Sequence, residues 1–146
     1  MTDSKSLIRL VYASKSAKPV SLNAVISIVA KARSLNKTKG ITGALLYDAG
    51  IFIQILEGPK VEVDQLYANI ERDKRHRDTC ILLYEPIRSR LFADWSMGHS
   101  GATQADLDKL PGLNGFFSSG KTAYDMGHPQ LEALLAAFRE GTLLAA

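Results

Sequence analysis

An α+β domain, one sheet with helices on its faces, is what the sequence predicts, on three observations. Short β-branched segments of alternating polarity are interleaved with stretches of helical periodicity. They come in the order strand, helix, strand, strand, helix, strand, strand. The pattern closes near residue 101 of a 146-residue chain, which is one domain's length. That order is the split βαβ, ferredoxin-like plan: an antiparallel sheet with two helices packed on one face.

Each element has its own warrant. Residues 7–13 form a first strand with Ile8, Leu10 and Tyr12 on one face and Arg9, Val11 and Ala13 on the other. Ser21 can cap a helix over 22–35, with Val20 stapled onto Val25. Its apolar residues spread wider than one stripe, so something besides the sheet must cover it. Residues 40–47 and 51–56 are two strands joined by a turn at 48–50, a hairpin. Glu57-Gly58-Pro59 opens a second helix whose stripe is Val63, Leu66, Tyr67 and Ile70. Residues 72–78 read as a charged exit loop, 80–84 as a fourth strand, and 92–100 as a fifth weakened by Gly98. In the tail, 105–110 is a short helix and 130–139 a better one. Leu131, Leu134, Leu135 and Phe138 of the latter are expected to cover the sheet face carrying Ile51, Ile53 and Ile55.

Composition excludes several classes. With 46% hydrophobic and 23% charged residues the chain is an ordinary globular protein. No run of hydrophobic residues exceeds six, too short for a transmembrane helix, and MTDSKSLIRL lacks the apolar stretch of a secretory signal. One cysteine, Cys80, excludes an internal disulfide and a cysteine-based zinc site. The expected location is cytoplasmic. The net charge of +3 hides an asymmetry, +7 over residues 1–39 against −4 over the rest. A basic face there suits a phosphate or an acidic partner, and equally a solvated helix.

The informative residues are polar ones on apolar faces. Gln54 lies mid-strand between Phe52 and Leu56, and a buried amide left unpaired costs about 1–3 kcal/mol. Tyr12 shares its face with Ile8 and Leu10, and first and third strands are neighbours in this topology, so Tyr12 and Gln54 can meet. Pattern alone fits equally a pair that only satisfies itself. Trp95 and Met97 alternate onto one face of the fifth strand and, taken alone, read as core. Asn36 alone reads as a helix cap and Ser14 as a turn residue. Cys80 reads as core, and His76, His99 and His128 have neither metal-ligand spacing nor a triad arrangement, so no catalytic or metal site is expected.

Together these residues form a recognisable set. The runs LVYAS (10–14), Asn36 followed by GITGALLY (40–47), FIQILEG (52–58), DKRH (73–76) and WSM (95–97) resemble the BLUF family, blue-light sensors that use flavin. The resemblance spans 7–99, and the separations of Tyr12 from Asn36, Gln54, Trp95 and Met97 suit the family. It implies an isoalloxazine ring between the two helices, sandwiched by Ile28, Val29 and Ile70. Gln54 would reach both the N5/O4 edge and Tyr12. Asn36, Arg75 and Asp73 would hold the pyrimidine edge, and Ser14 would tune the pocket. Lys31, Arg33, Lys37 and Lys39 would attract the phosphates of FAD. FMN and riboflavin share the same ring and are not distinguished. Leu35 departs from the family, where a polar side chain is frequent. On illumination Tyr12 would supply an electron and proton, Gln54 would rearrange, and a new bond to O4 would shift absorption to the red. Readout would run through Trp95 and Met97 into the C-terminal helices.

The resemblance also implies a division into a flavin-binding sensor over 1–101 and a helical extension over 102–146, too short for a fused effector. The expected output is therefore a separate protein partner or the chain's own oligomer, with no catalysis, nucleic acid or membrane involved. The alternative is a ferredoxin-like RNA-binding module, but its third strand would need exposed aromatics where this chain has Ile51, Ile53 and Ile55. An acylphosphatase-type hydrolase would need Arg9 and Asn36 over a phosphate nest that the sequence lacks.

Overall fold

The computed structural model describes residues 6–16, 37–48, 50–73, 76–91, 96–100 and 127–139, with single positions between 109 and 119. Five strands make one sheet: β1 (Leu7–Ser16), β2 (Thr42–Asp48), β3 (Ile51–Pro59), β4 (His76–Ile87) and β5 (Ser96–Ser100). Their order is β4-β1-β3-β2-β5. Each neighbouring pair among the first four is antiparallel, as the ferredoxin-like plan requires. β5 runs parallel to β2, so the chain leaves β4 at one edge and pairs at the other. The expectation of an antiparallel sheet therefore stands for four strands and is corrected for the fifth. Residues 92–95, the predicted start of β5, lie outside the described residues, as does the helix predicted over 22–35.

Among the described residues the long helices are α1 (Lys60–Arg72) and α2 (His128–Arg139), and residues 37–39 are helical as well. The two long helices pack on opposite faces of the sheet, and the alternation of the strands decides which side chains each one covers. Ile8, Leu10, Tyr12, Phe52 and Leu56 form a buried cluster with Val63 and Tyr67 of α1. Val11, Ala13, Ala44, Leu46, Ile53 and Ile55 form another with Leu131, Leu134 and Leu135 of α2. The sheet face that would otherwise have exposed three isoleucines is thus covered, as expected. Leu110, Leu113 and Phe116 join the same cluster. Each fully buried leucine contributes about 1.5–3 kcal/mol of transfer free energy.

Three local expectations are corrected. Glu57 and Gly58 do not open the helix; they end β3, and Pro59 takes the N-cap position of α1. The charged run 72–78 is not all loop, because β4 begins at His76 and Arg77 pairs with Lys15. Backbone pairing with the long β1 overrides the polar composition there, and Asp78 absorbs the irregularity with φ 52°. Cys80 is half-exposed rather than core, because β4 is the sheet edge.

On the α2 face, one polar row crosses four strands in register: Glu85, Arg9, Glu57 and Thr42. Arg9 Nε donates to Glu57 Oε2 at 2.8 Å and Nη1 to Glu85 Oε1 at 3.2 Å. The Leu91 backbone N–H donates to Glu57 Oε2 at 3.1 Å, and Arg90 Nη1 donates to Thr42 Oγ1 and to the Glu57 carbonyl oxygen. The segment leaving β4 is therefore tied to the end of β3. Gly43 makes the close strand approach possible: a Cβ there would lie 1.8 Å from the Ile55 carbonyl oxygen.

Candidate functional site

The antiparallel register of β1 and β3 sets Tyr12 directly opposite Gln54. Both point to the α1 face, because each is flanked at i±2 by residues of the α1 cluster. Tyr12 is 1% and Gln54 7% exposed. The Tyr12 hydroxyl donates to Gln54 Oε1. The pair expected from the sequence is formed, deep in an apolar wall where an unmet amide or phenol would be costly.

Its surroundings assemble from three elements. Ser14, two residues along β1 on the same face and opposite Phe52, is fully buried. Tyr67 of α1 meets Tyr12 edge to face, ring centroids 5.4 Å apart at 61°. Ile70 packs against the same cluster one turn further on. Asp73 caps α1, its N–H donating to the Ile70 carbonyl at 3.0 Å. Burial, with smaller contributions from Tyr67 and the Asp73 carboxylate, pushes the Tyr12 phenol far above its ordinary value. Tyr12 is therefore a neutral hydrogen-bond donor at any ordinary pH.

Of the residues singled out in the sequence, the structure thus brings together Tyr12, Ser14, Gln54, Ile70 and Asp73. Ile28, Val29, Asn36, Arg75 and Trp95 lie outside the described residues. Met97 falls in β5 at a register irregularity, between Ser96 opposite Gly43 and Gly98 opposite Ala44. Lys37 is exposed and Lys39 half-buried. Arg9 is engaged with Glu57, so it is not the phosphate-poised arginine a hydrolase would need. Sequence reasoning assigned Tyr67 to the helical stripe alone. That stripe shows which face is buried but not which neighbour it meets.

The donor set fits a flat, polar-edged ring. A buried phenol and amide stand on one wall, and aliphatic surface from Ile70 and its neighbours surrounds them. Comparison with known proteins agrees. The sequence profile described as "BLUF: Sensors of blue-light using FAD" matches residues 7–98. The alpha subunit of a photoactivated adenylate cyclase from Euglena gracilis is 39% identical over 112 residues, 77% of this chain and 11% of that protein. The beta subunit from Euglena longa is 36% identical over 118 residues, 80% of this chain and 14% of that protein. The chain thus spans little more than a tenth of these relatives' length. Among solved structures, "BlrB - a BLUF protein, dark state structure" aligns with a TM-score of 0.78 and 28% identity, covering 94% of this chain and 98% of that one. "BlsA photo-activated state" aligns with a TM-score of 0.74 and 27% identity, covering 96% of each. With a profile that spans more than half its length and a bonded Tyr12–Gln54 pair at the expected place, the chain belongs to the BLUF family of flavin-based blue-light sensors.

Proposed function

We propose that this chain is a light switch whose moving part is the Tyr12–Gln54 hydrogen bond. The observation that carries the reading is the bond itself, a phenol donating to an amide oxygen inside a hydrocarbon wall. A bound flavin supplies the blue-absorbing ring, which in its excited state is a strong oxidant. Gln54 and Tyr12 would meet its polar edge, Ile70 with Ile28 and Val29 its faces, and Asn36, Asp73 and Arg75 its far edge, with Ser14, Trp95 and Met97 completing the pocket. FAD is the proposed form, with Lys37 and Lys39 near the phosphates.

The residues' own chemistry defines two states. In the state described, Tyr12 Oη holds the proton and Gln54 Oε1 accepts it as a hydrogen bond. Turning the amide over, or tautomerising it, exchanges acceptor for donor at both ends. Tyr12 must then accept, and the opposite corner of the amide changes what it offers. Neither state alters a covalent bond outside the pair, so the product is a conformation and the domain acts as a sensor rather than a catalyst. We assign the sensor to 1–101 and the relay to 102–146. A separate cytoplasmic protein, or a second copy of the chain, receives the signal. No nucleic acid is needed, and α2 covers the sheet face that an RNA module would use.

The visible spectrum before and after blue light tests this. Purified protein should be yellow and show a small, reversible red shift. Gln54→Leu and Tyr12→Phe should keep the flavin and lose the shift. A colourless protein that refuses flavin on reconstitution, or a full shift in both variants, overturns the reading.

A further inference from the structure

Tyr67 has more order imposed on it than a core-filling residue needs. It sits one turn after Val63 on the buried stripe of α1, 8% exposed, and its ring meets Tyr12 edge to face. Burial is the main cause that pushes its phenol above the ordinary value. The ring is thus fixed by the helix backbone and enclosed by the core, with Tyr12 against it. Leucine would fill the stripe equally well but could not offer the edge-to-face geometry.

We propose that Tyr67 is the positioning residue for Tyr12: its ring, set edge to face against Tyr12, restrains reorientation of the phenol and so sets how fast the switched Tyr12–Gln54 pair returns to its starting arrangement. This rests on the photoreceptor reading above. For Tyr12 to change from donor to acceptor, its hydroxyl and ring must shift within a wall packed on both sides. Gln54 lies across the strand and Tyr67 lies over the ring. An aromatic pair of this geometry is worth enough to change a rate about fivefold when one ring is removed. The contact acts through Tyr12 and does not require Tyr67 to touch the cofactor.

The test uses the full chain loaded with flavin and two kinds of variant. Tyr67→Leu removes the ring; Tyr67→Phe keeps it and drops only the hydroxyl. Two quantities are read: the rate at which the red-shifted spectrum relaxes in darkness, and the ring-flip rate of Tyr12 from tyrosine-labelled NMR, the latter also in flavin-free protein. Tyr67→Leu should relax about fivefold faster with an unchanged dark spectrum and a faster-flipping Tyr12, while Tyr67→Phe stays within about twofold of the parent. Should leucine not fold, Tyr67→Met is the ring-less replacement of similar reach. Relaxation and ring flips within about twofold of the parent in the ring-less variant overturn the proposal, as does a Tyr67→Phe protein as fast as Tyr67→Leu. A parent chain that takes no flavin or shows no shift overturns the photoreceptor reading instead, and the flavin-free ring flips still decide the role of Tyr67.

Discussion

A phenol and a primary amide buried face to face hold each other in place because neither has water to turn to. That is why Tyr12 and Gln54 were legible in the sequence: strict alternation put polar groups where Ile8, Leu10, Phe52 and Leu56 announced a dry face. Ser14, which alone reads as a turn residue, is instead a buried part of β1, because the strand runs on to Ser16 in pairing with β3 and β4. The burial of Tyr12 makes a prediction about pH. In the unfolded chain Tyr12 ionises at its ordinary value of 10.0, whereas in the folded protein burial holds it protonated well above that. Above about pH 10 the unfolded state releases the proton first. Stability is then fully present below that pH and falls as pH rises beyond it, by up to about 1.4 kcal/mol per pH unit for this one group. Urea unfolding between about pH 9 and 11 should show a shallower decline in Tyr12→Phe than in the parent. Equal slopes would mean that Tyr12 ionises in place. Tyr67 could be assigned to the core from the sequence but not to Tyr12, because helical spacing fixes a face and leaves the partner across the interface open.

At the level of elements, the misread segments share one cause: tertiary pairing outweighed local composition. Residues 76–78 are charged, yet they extend β4 because Lys15 and Ser16 of β1 are there to pair with them. Glu57 and Gly58 look like a helix start, yet β1 and β2 hold them on either side as strand. Glu57 is the costlier case, a fully buried carboxylate that accepts from both Arg9 and the Leu91 N–H. Removing it leaves the Arg9 guanidinium, only 10% exposed at its side chain, with the more exposed Glu85 in place of a buried partner. Glu57→Ala should therefore lose about 3–5 kcal/mol, read as a lower urea midpoint. Arg9→Met combined with Glu57→Leu should recover most of that loss, since neither charge is then left unpaired. A single variant no worse than the double would show that the pair is not coupled. Neither alternation nor helical period could have found this row, because it joins four strands in register across the sheet.

The two faces of the sheet connect the pair to the rest of the molecule. Successive residues of β3 point opposite ways, so Gln54 bonds Tyr12 on the α1 side while Ile53 and Ile55 pack under α2 on the other. A shift of the β3 backbone that accompanies a turned Gln54 must move both isoleucines against Leu131, Leu134 and Leu135, since a packed interior transmits displacement rather than absorbing it. The short path from the switch to α2 is therefore through the thickness of one strand. Blue light should change backbone amide exchange across 128–139, measured by mass spectrometry on lit and dark protein, and Gln54→Leu should abolish the difference. Leu134→Ala opens a cavity at this interface, costing about 2–5 kcal/mol, and should shrink the lit-minus-dark difference while leaving the red shift intact. If α2 exchanges identically in light and darkness while the spectrum still shifts, the signal does not leave through this face. The segment held by Glu57 at Leu91, which leads toward β5 at the far edge of the sheet, then becomes the remaining route.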